Sequence, residues 1–218
     1  EMFSDTLYNP TLDITAITTS TNPPNIVYLG TKYKKIYRVD NANIGDPAIV
    51  ELTSPLLGSN SYVSDIAVNP NNAEELMVVY SNYSCYSLFH SIDGGQSWIN
   101  WTTPTLDNIN ATNIEHQRGS NGGVYIGTRD NVYYRNNAMT DWVIYDNNLP
   151  KRTFSTQLIP YYREGRLING TNRSAYEIDF YENSPPSAQI AANKLEINCM
   201  NDTVRFVDHS AVRLSSAS

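Results

Sequence analysis

The sequence predicts an all-β protein built from a repeated antiparallel sheet, and three observations favour it. A pattern of an apolar strand, a polar turn, a Tyr/Val/Leu-rich strand and a third strand carrying Tyr occurs four times. The second strands are apolar on both faces, which is typical of strands enclosed between neighbouring sheets. The turns are rich in Pro, Asn and Gly, which adopt the backbone angles that tight turns require.

The strands of each copy follow one another in the same order. The first copy is predicted at 13–17, 26–31 and 35–39, the second at 64–68, 76–81 and 86–89, the third at 113–115, 124–128 and 131–134, and the fourth at 157–159, 166–171 and 175–178. The turns at 22–25 and 69–72 contain proline, which ends a strand because it lacks the N–H that a ladder needs.

The spacing of the repeat indicates the architecture. The equivalent points chosen from the sequence are Gly30, Tyr80, Gly127 and Gly170, about 43 to 50 residues apart. Four-stranded β-propeller blades have this period. We therefore predict about four blades within residues 1–182, belonging to a larger propeller. Their approximate limits are 11–57, 61–106, 110–150 and 152–182. An ordinary β-sandwich is the alternative fold.

The stretch 91–98 reads Ser-Ile-Asp-Gly-Gly-Gln-Ser-Trp and lies between apolar segments. Asp-Gly-Gly predicts a tight hairpin, in which the side chains of Ser91 and Asp93 bond turn N–H groups. We expect Trp98 to pack onto a core. The stretch resembles the Asp-box (BNR repeat) of sialidase, xyloglucanase-like and sortilin-type propellers. That resemblance implies a structural role on the outer rim for Ser91, Asp93, Gly95, Ser97 and Trp98.

The amino-acid composition of the chain restricts the classes of partner that it is expected to bind. The net charge of −7 argues against a nucleic acid or an anionic membrane surface. Sixteen tyrosines among many Asn, Thr and Ser residues suit an extracellular β-protein, and no stretch approaches the roughly 20 apolar residues of a membrane span. We expect a fragment of a longer secreted or cell-surface protein, with the further domains of that polypeptide as partners.

The residue composition of the sequence changes at residue 183. Residues 183–187 contain consecutive prolines and are interpreted as a linker. Residues 188–218 resemble the beginning of an immunoglobulin-like PKD domain, because Val204, Phe206, Asp208 and Ser210 match its Val-x-Phe-x-Asp-x-Ser pattern. This resemblance alone suggests a cofactor, calcium. The combination resembles large surface proteins of Bacteroidetes-type bacteria, which implies type IX secretion or surface-attachment machinery as a further partner.

A catalytic centre is not expected in this chain. Sialidases bind their substrate with three arginines and use a Tyr–Glu pair, and no residues of this sequence can be assigned to these roles. Xyloglucanase-like propellers carry a catalytic Asp just after the second strand of a blade, and Asp130 is the one acidic residue at such a position. Glycoside hydrolysis needs two carboxyl groups flanking one bond, and no second carboxylate can be named. Asp130 is therefore interpreted as a turn residue. The histidines and cysteines form no cluster of metal-ligand spacing, so no metal site is predicted.

Binding residues are expected at the mouth of the propeller channel. Tyr33, Tyr83, Arg129, Tyr161 and Tyr162 are candidates for an aromatic and polar surface that holds a glycan or a protein. The alternative is that these tyrosines pack between blades. The function expected is binding or adhesion. The other possibilities are part of a xyloglucanase- or sialidase-like glycoside hydrolase, or a sortilin-like protein receptor.

Overall fold

A computed structural model describes residues 13–52, 55, 61–81, 88–147, 149–150, 152–183, 190–192 and 203–208. Within these residues the single helical element is a 3-10 turn at Pro104–Leu106, and the remaining regular structure is β. The prediction of an all-β fold is confirmed.

Seventeen described strands form five antiparallel sheets. The first sheet contains β1 (Ile14–Thr19), β2 (Val27–Thr31), β3 (Ile36–Asp40) and β4 (Ala48–Leu52). The second contains β5 (Tyr62–Asn69), β6 (Asn72–Ser81), β7 (Leu88–Ser91) and β8 (Ile99–Asn100). The third contains β9 (Ala111–His116), β10 (Val124–Thr128), β11 (Val132–Arg135) and β12 (Val143–Ile144). The fourth contains β13 (Ser155–Tyr161), β14 (Arg166–Thr171) and β15 (Ala175–Asp179).

Each of the first four sheets is a meander in which consecutive strands pair, and each sheet is one blade of a β-propeller. The first strand of every blade is the inner strand, and β1, β5, β9 and β13 contact one another in that order. Since consecutive blades are neighbours, the chain winds around one axis. The prediction of β-propeller blades is therefore confirmed.

The inner strands run side by side in the same direction. Near their starts, the Thr15 hydroxyl donates to the Val63 carbonyl oxygen at 2.5 Å, and the Asn113 amide donates to the Ser155 carbonyl oxygen at 3.1 Å. Near their ends, the Tyr162 hydroxyl lies 3.3 Å from the carbonyl oxygen of His116. The propeller axis consequently has an amino end, where all four inner strands begin, and a carboxyl end, where they finish.

Every inner strand contains a β-bulge near its start. The bulged residue is a hydroxyl residue in each case: Thr15, Ser64, Thr112 and Thr156. The last three donate their hydroxyls to carbonyl oxygens of the second strand in their own blade. A bulge adds one residue and increases the local twist, so these hydroxyls fix the same bend in each inner strand.

The bulge corrects one predicted equivalence. Gly30, Gly127 and Gly170 each pair with the residue that directly follows a bulge. In the second blade that partner is Val79. Tyr80, which the sequence pattern placed here, lies one position further along the strand. The shift arises because the extra inner-strand residue changes the pairing without changing the apolar pattern of the second strand.

These second-strand positions face the inner strand of the next blade. A Cβ atom on Gly30 would lie 2.2 Å from Cγ1 of Val63, and one on Gly127 would lie 2.2 Å from Oγ of Ser155. Val79 occupies the equivalent position in the second blade. There is room for its side chain because the third blade contributes the small residue Ala111 to the same core cluster. Glycine is therefore required where the next inner strand brings a larger side chain close.

The hydrophobic core lies between blades. Three clusters of buried residues each join one blade to the next. Tyr28 is fully buried between the first two blades, and its hydroxyl donates to the Ala73 carbonyl oxygen of the second blade at 2.9 Å. Buried tyrosines thus bring apolar area and satisfy their polar ends on a neighbouring backbone.

The end of the chain contains a small separate sheet. Strand β16 (Ile190–Ala192) pairs antiparallel with β17 (Phe206–Asp208). Phe206 and Val207, from the segment that resembles a PKD domain, are exposed. Ser210 and residues 184–187 of the predicted linker lie outside the described residues.

Candidate functional site

The hairpin at 91–98 is held by its own side chains. The hydroxyl of Ser91 accepts the N–H of Gly95 at 2.9 Å, and the carboxylate of Asp93 accepts the N–H of Ser97 at 2.9 Å. The Ser97 hydroxyl also donates to Asp93, and these bonds lower the pKa of Asp93 to about 2. Trp98 packs against the core between the first two blades. The hydrogen bonds predicted for Ser91 and Asp93 are present.

An ion pair lies beneath this hairpin. Arg38 of the first blade donates two hydrogen bonds of 2.8 Å to Glu74 of the second. The N–H of Gly94 donates to the Glu74 carbonyl oxygen, and a Cβ on Gly94 would strike both side chains of the pair. The hairpin therefore contacts both blades, and the side chains of Ser91, Asp93 and Ser97 form hydrogen bonds within the turn.

We expect the substitution Asp93→Ala to lower the melting temperature, because it removes the three hydrogen bonds that the carboxylate accepts from the Ser91 hydroxyl, the Ser97 N–H and the Ser97 hydroxyl. The ionised carboxylate supplies this stability, so the effect is complete above the ordinary pKa near 3.8 and is lost as the pH falls towards about 2. Thermal melts at pH 7 and pH 2.5 measure it. Asp46→Ala, at an exposed loop position, is the control. Equal melting temperatures for the two variants at pH 7 would contradict the role of Asp93.

The candidate binding residues do not form one surface. Tyr33 lies in the β2–β3 turn and Arg129 in the β10–β11 turn, both at the amino end of the propeller. Tyr161 is the last residue of the inner strand of the fourth blade and Tyr162 follows it, at the carboxyl end. Tyr83 lies outside the described residues. The separation follows from blade topology, because these turns join different strand pairs.

Two of these residues pack against neighbours. The Arg129 guanidinium lies 5.7 Å from the centre of the Phe154 ring. The Tyr162 hydroxyl accepts the N–H of Arg118 at 2.7 Å, and the Tyr162 ring contacts Phe180. Tyr162 therefore joins the third and fourth blades, in agreement with the alternative of packing tyrosines. Tyr33 and Tyr161 are exposed.

Asp130 is an exposed residue of the β10–β11 turn. Its N–H and that of Asn131 donate to the Thr128 hydroxyl at 3.2 and 3.0 Å. Thr171 caps the equivalent turn of the fourth blade in the same way. The structure gives Asp130 the surroundings of a turn residue.

A cavity of about 280 Å³ opens at the carboxyl end of the axis. All four blades contribute to it, through the ends of their inner strands and the turns that follow. Its lining consists of Thr18, Thr19, Thr21, Ala67, Val68, Pro70, Glu115, His116, Arg118, Pro160 and Tyr162. Polar residues therefore surround a space at the point where the blades converge.

Glu115 is the carboxyl group of this cavity. It forms no hydrogen bond within the part of the chain that the structure describes, and burial raises its pKa from 4.5 to about 8. Asp65 lies close enough to raise the pKa further, whereas Arg118 lowers it. Glu115 is therefore mostly protonated at pH 7.

Asp65 has a different role. Its two carboxylate oxygens accept the N–H groups of Ile66 and Ile114, each at 2.9 Å. The bond from Ile114 joins the inner strands of the second and third blades. Burial raises the pKa of Asp65 to about 6, against the lowering effect of both backbone bonds. Asp65 is thus a structural group, because each of its oxygens accepts a backbone N–H.

His116 also lines the cavity. Its side chain is buried, and its Nε2 atom has no hydrogen-bond partner among the described residues. Burial lowers the pKa of the imidazole to about 4, so it is neutral at pH 7. Glu75 and His90 of the second blade also affect this pKa, so the imidazole lies near that blade.

Sequence reasoning missed Glu115 and His116. A signal was present, because the two residues end the third inner strand at positions where the first and second carry Thr18-Thr19 and Ala67-Val68. An alignment of inner-strand ends would have singled out the Glu-His pair. Within the described ranges, no group of three or more His, Cys, Asp or Glu residues is placed to hold a metal ion.

The comparisons with known proteins concern the fold. No protein-family model matches the chain, and no curated protein matches its sequence. A GH74 enzyme of Niastella koreensis is similar in structure, with TM-score 0.55 and 17% identity, over 76% of this chain and 28% of the enzyme. The computationally designed protein Ika4 is similar with TM-score 0.53 and 12% identity, over 82% of this chain and 97% of Ika4.

A third similar structure is the extracellular domain of a protein assigned as a one-component system of B. thetaiotaomicron. It has TM-score 0.56 and 13% identity, over 82% of this chain and 22% of that domain. The chain thus spans less than a third of the two natural proteins. None of the helices in the described residues could cross a membrane. At these identities the likeness concerns architecture alone, and the chain has the β-propeller fold.

Proposed function

We propose that this chain is a ligand-binding β-propeller of a secreted or cell-surface protein, and that it holds a neutral carbohydrate in the cavity at the carboxyl end. The observation that carries the proposal is a buried carboxyl group in the lining of a cavity to which all four blades contribute. Glu115 carries this protonated carboxyl group, which has no hydrogen bond among the described residues.

The chemistry of the lining favours a sugar. A protonated carboxyl group both donates and accepts hydrogen bonds, and threonine hydroxyls do the same. Sugar hydroxyls complement such groups because they also do both. Arg118 is the one charged group in the lining at pH 7, and it stacks over Tyr162 at 5.2 Å. The volume suits about one monosaccharide unit, at the lower limit of ligand pockets.

A glycoside hydrolase is the second candidate, because Glu115 has the raised pKa of a general acid and GH74 enzymes share the fold. Hydrolysis requires a second carboxylate that acts as a base or nucleophile. Asp65 is the neighbouring carboxyl group, and both of its oxygens are engaged by backbone N–H groups. This arrangement favours binding without bond cleavage.

An array of neutral oligosaccharides, followed by calorimetric titration with the best binder, tests the proposal. We expect Glu115→Ala to weaken binding about tenfold, the effect of one lost hydrogen bond. Glu115→Gln keeps a donor and an acceptor, so it should retain binding. Glu164→Gln, outside the cavity lining, is the control.

The pH dependence sharpens the test. Wild-type affinity should fall above about pH 8, where Glu115 loses its proton, and the Glu115→Gln variant should not show this fall. Release of reducing sugar from a bound oligosaccharide, abolished by Glu115→Ala or Asp130→Ala, would instead support the hydrolase. Binding that is unaffected by Glu115→Ala would refute the proposed site.

We also propose that the 91–98 hairpin makes the chain an Asp-box propeller and that a PKD-like module follows it. The hydrogen bonds of Ser91 and Asp93 support the first statement, and the Phe206–Asp208 strand is compatible with the second. Together they suit a large surface protein of Bacteroidetes type. Calcium binding to the PKD-like segment and export by type IX secretion are parts of this proposal.

A further inference from the structure

The turn between β9 and β10 contains an Asn-Gly pair, at Asn121 and Gly122. Asn121 is exposed, and its side-chain carboxamide forms no hydrogen bond within the residues that the structure describes. The N–H of Gly122 likewise has no partner in that part of the chain, and Gly122 has a left-handed φ of 64°. The main-chain nitrogen of Gly122 therefore lies next to the Asn121 side chain, with no bond holding either group and no Cβ atom shielding the nitrogen.

The sequence contains a second Asn-Gly pair, Asn169 and Gly170, whose surroundings are different. Asn169 is 2% exposed and lies in β14, which pairs with β13 on one side and with β15 on the other. The carboxamide oxygen of Asn169 accepts the Ser155 hydroxyl at 2.7 Å. The two pairs share one sequence and differ in burial, strand pairing and side-chain hydrogen bonds, so the fold distinguishes them.

We propose that Asn121 is a site of spontaneous covalent modification, in which its carboxamide is converted to a carboxylate with water as the co-reactant. The Gly122 nitrogen attacks Cγ of Asn121 and closes a succinimide ring. The bond from Cγ to Nδ2 breaks, and ammonia leaves with the proton of the Gly122 amide. Water then opens the ring, and no electrons are transferred in either step. Opening at Cγ gives aspartate, and opening at the main-chain carbonyl carbon gives isoaspartate.

The new charge arises beside Glu182. The Asn121 N–H donates to Oε2 of Glu182 at 2.9 Å, and the Tyr134 hydroxyl and the Asn136 amide donate to Oε1 at 2.6 and 2.5 Å. Burial acts to raise the pKa of Glu182, but the hydrogen bonds from Tyr134, Asn121 and Asn136 lower it, so Glu182 is ionised at pH 7. A carboxylate at position 121 therefore repels the carboxylate that its own N–H holds.

Glu182 belongs to a segment that follows the last described strand of the fourth blade and packs on the third, residues 180–182, here called the crossing segment. Tyr181 stacks on Tyr134 with ring centres 4.2 Å apart, and its N–H donates to the Tyr125 hydroxyl at 2.7 Å. Repulsion at Glu182 thus loosens the crossing segment from the third blade. The cavity lining includes no residue of this segment or of the Asn-Gly turn, so the inference is independent of the proposed function.

Peptide mapping by mass spectrometry, after incubation of the folded chain at mildly alkaline pH, tests the site. Trypsin releases residues 119–129 and 167–173, which contain the two Asn-Gly pairs separately. Reaction at Asn169 first requires local opening of the strand, and each hydrogen bond lost corresponds to about tenfold in rate, so peptide 119–129 should convert about tenfold faster or more. In urea this difference should largely disappear. Asn121→Gln should abolish conversion of peptide 119–129.

Thermal melts test the effect on the crossing segment. Asn121→Asp reproduces the aspartate product and should lower the melting temperature by about 2 to 4 °C. Asn43→Asp adds the same charge at an exposed loop position of the first blade and is the control. In a Glu182→Gln background Asn121→Asp should have little further effect, because the repelling charge is gone.

Two results would overturn the inference. Equal conversion of both peptides in the folded chain, or an unmodified peptide 119–129, would refute the site at Asn121. Equal melting temperatures for Asn121→Asp and Asn43→Asp would refute its coupling to Glu182.

Discussion

Replacing Gly30 by valine will destabilise the fold by about 1 to 3 kcal/mol, the usual range for overpacking a well-filled core. The space beside Gly30 is too small for the added side chain. Its Cβ alone would lie 2.2 Å from Cγ1 and 2.7 Å from Cβ of Val63, and a side chain cannot yield at Cβ without moving its backbone. Relief therefore requires the first two blades to separate, which exposes part of the cluster that Tyr28 shares between them.

Gly170→Val provides the matched comparison, because the two glycines occupy equivalent positions of different blades. Valine favours strands, and the open space around Gly170 accommodates it, so its stability should stay within about 0.5 kcal/mol of wild type. Urea unfolding at low protein concentration measures both variants. Equal destabilisation at Gly30 and Gly170 would show that the glycines serve the strand itself and not the contact between blades.

The second large effect is a gain in stability. Glu115→Gln should be more stable than wild type at pH 9 by on the order of 3 kcal/mol. Glu115 has a raised pKa in the folded protein, so the folded state holds a proton that the unfolded chain releases above its ordinary pKa of 4.5. Wild-type stability therefore falls as the pH rises from about 4.5 to about 8. Glutamine does not ionise, so the Glu115→Gln variant does not lose stability over this pH range.

Other groups around Glu115 titrate as well. Asp65 has its pKa raised to about 6, and His116, with its pKa lowered to about 4, is neutral in the fold. These groups are present in both proteins, so the difference between the two stability curves isolates Glu115. We expect the curves to meet near pH 5 and to diverge up to about pH 8. Parallel curves from pH 5 to pH 9, measured by urea unfolding with Glu164→Gln as control, would mean that Glu115 is hydrated and ionises normally.

The blade architecture could be predicted because its signals are local. The second-strand segment 76–81 is apolar on both faces and flanked by turn residues, and it lies within β6. The fourth strands were not located, since Ile99–Asn100 and Val143–Ile144 are short and exposed, and no apolar pattern marks them. The one-residue offset at Val79 arises from a bulge, which alternation in a neighbouring strand does not reveal.

The hairpin at 91–98 was predictable for the same reason, because Ser91 and Asp93 bond groups within a few residues of themselves. The cavity depends instead on which strand ends converge from four blades. In the sequence, nothing distinguishes Glu115 from other polar strand residues. Its raised pKa results from burial, which only the fold reveals. Tyr33 and Tyr161 were grouped because both were expected in loops at the channel mouth, but the sequence does not specify at which end of the axis each loop lies.

A crystal structure of this chain tests the account most directly. Four sheets should surround one axis, with their inner strands parallel to one another and the Asp65 carboxylate between the N–H groups of Ile66 and Ile114. Gly30 should lie against Val63, and Gly127 against Ser155. Two face-to-face sheets of a sandwich, with Gly30 and Val63 apart, would contradict the propeller and every proposal that depends on it.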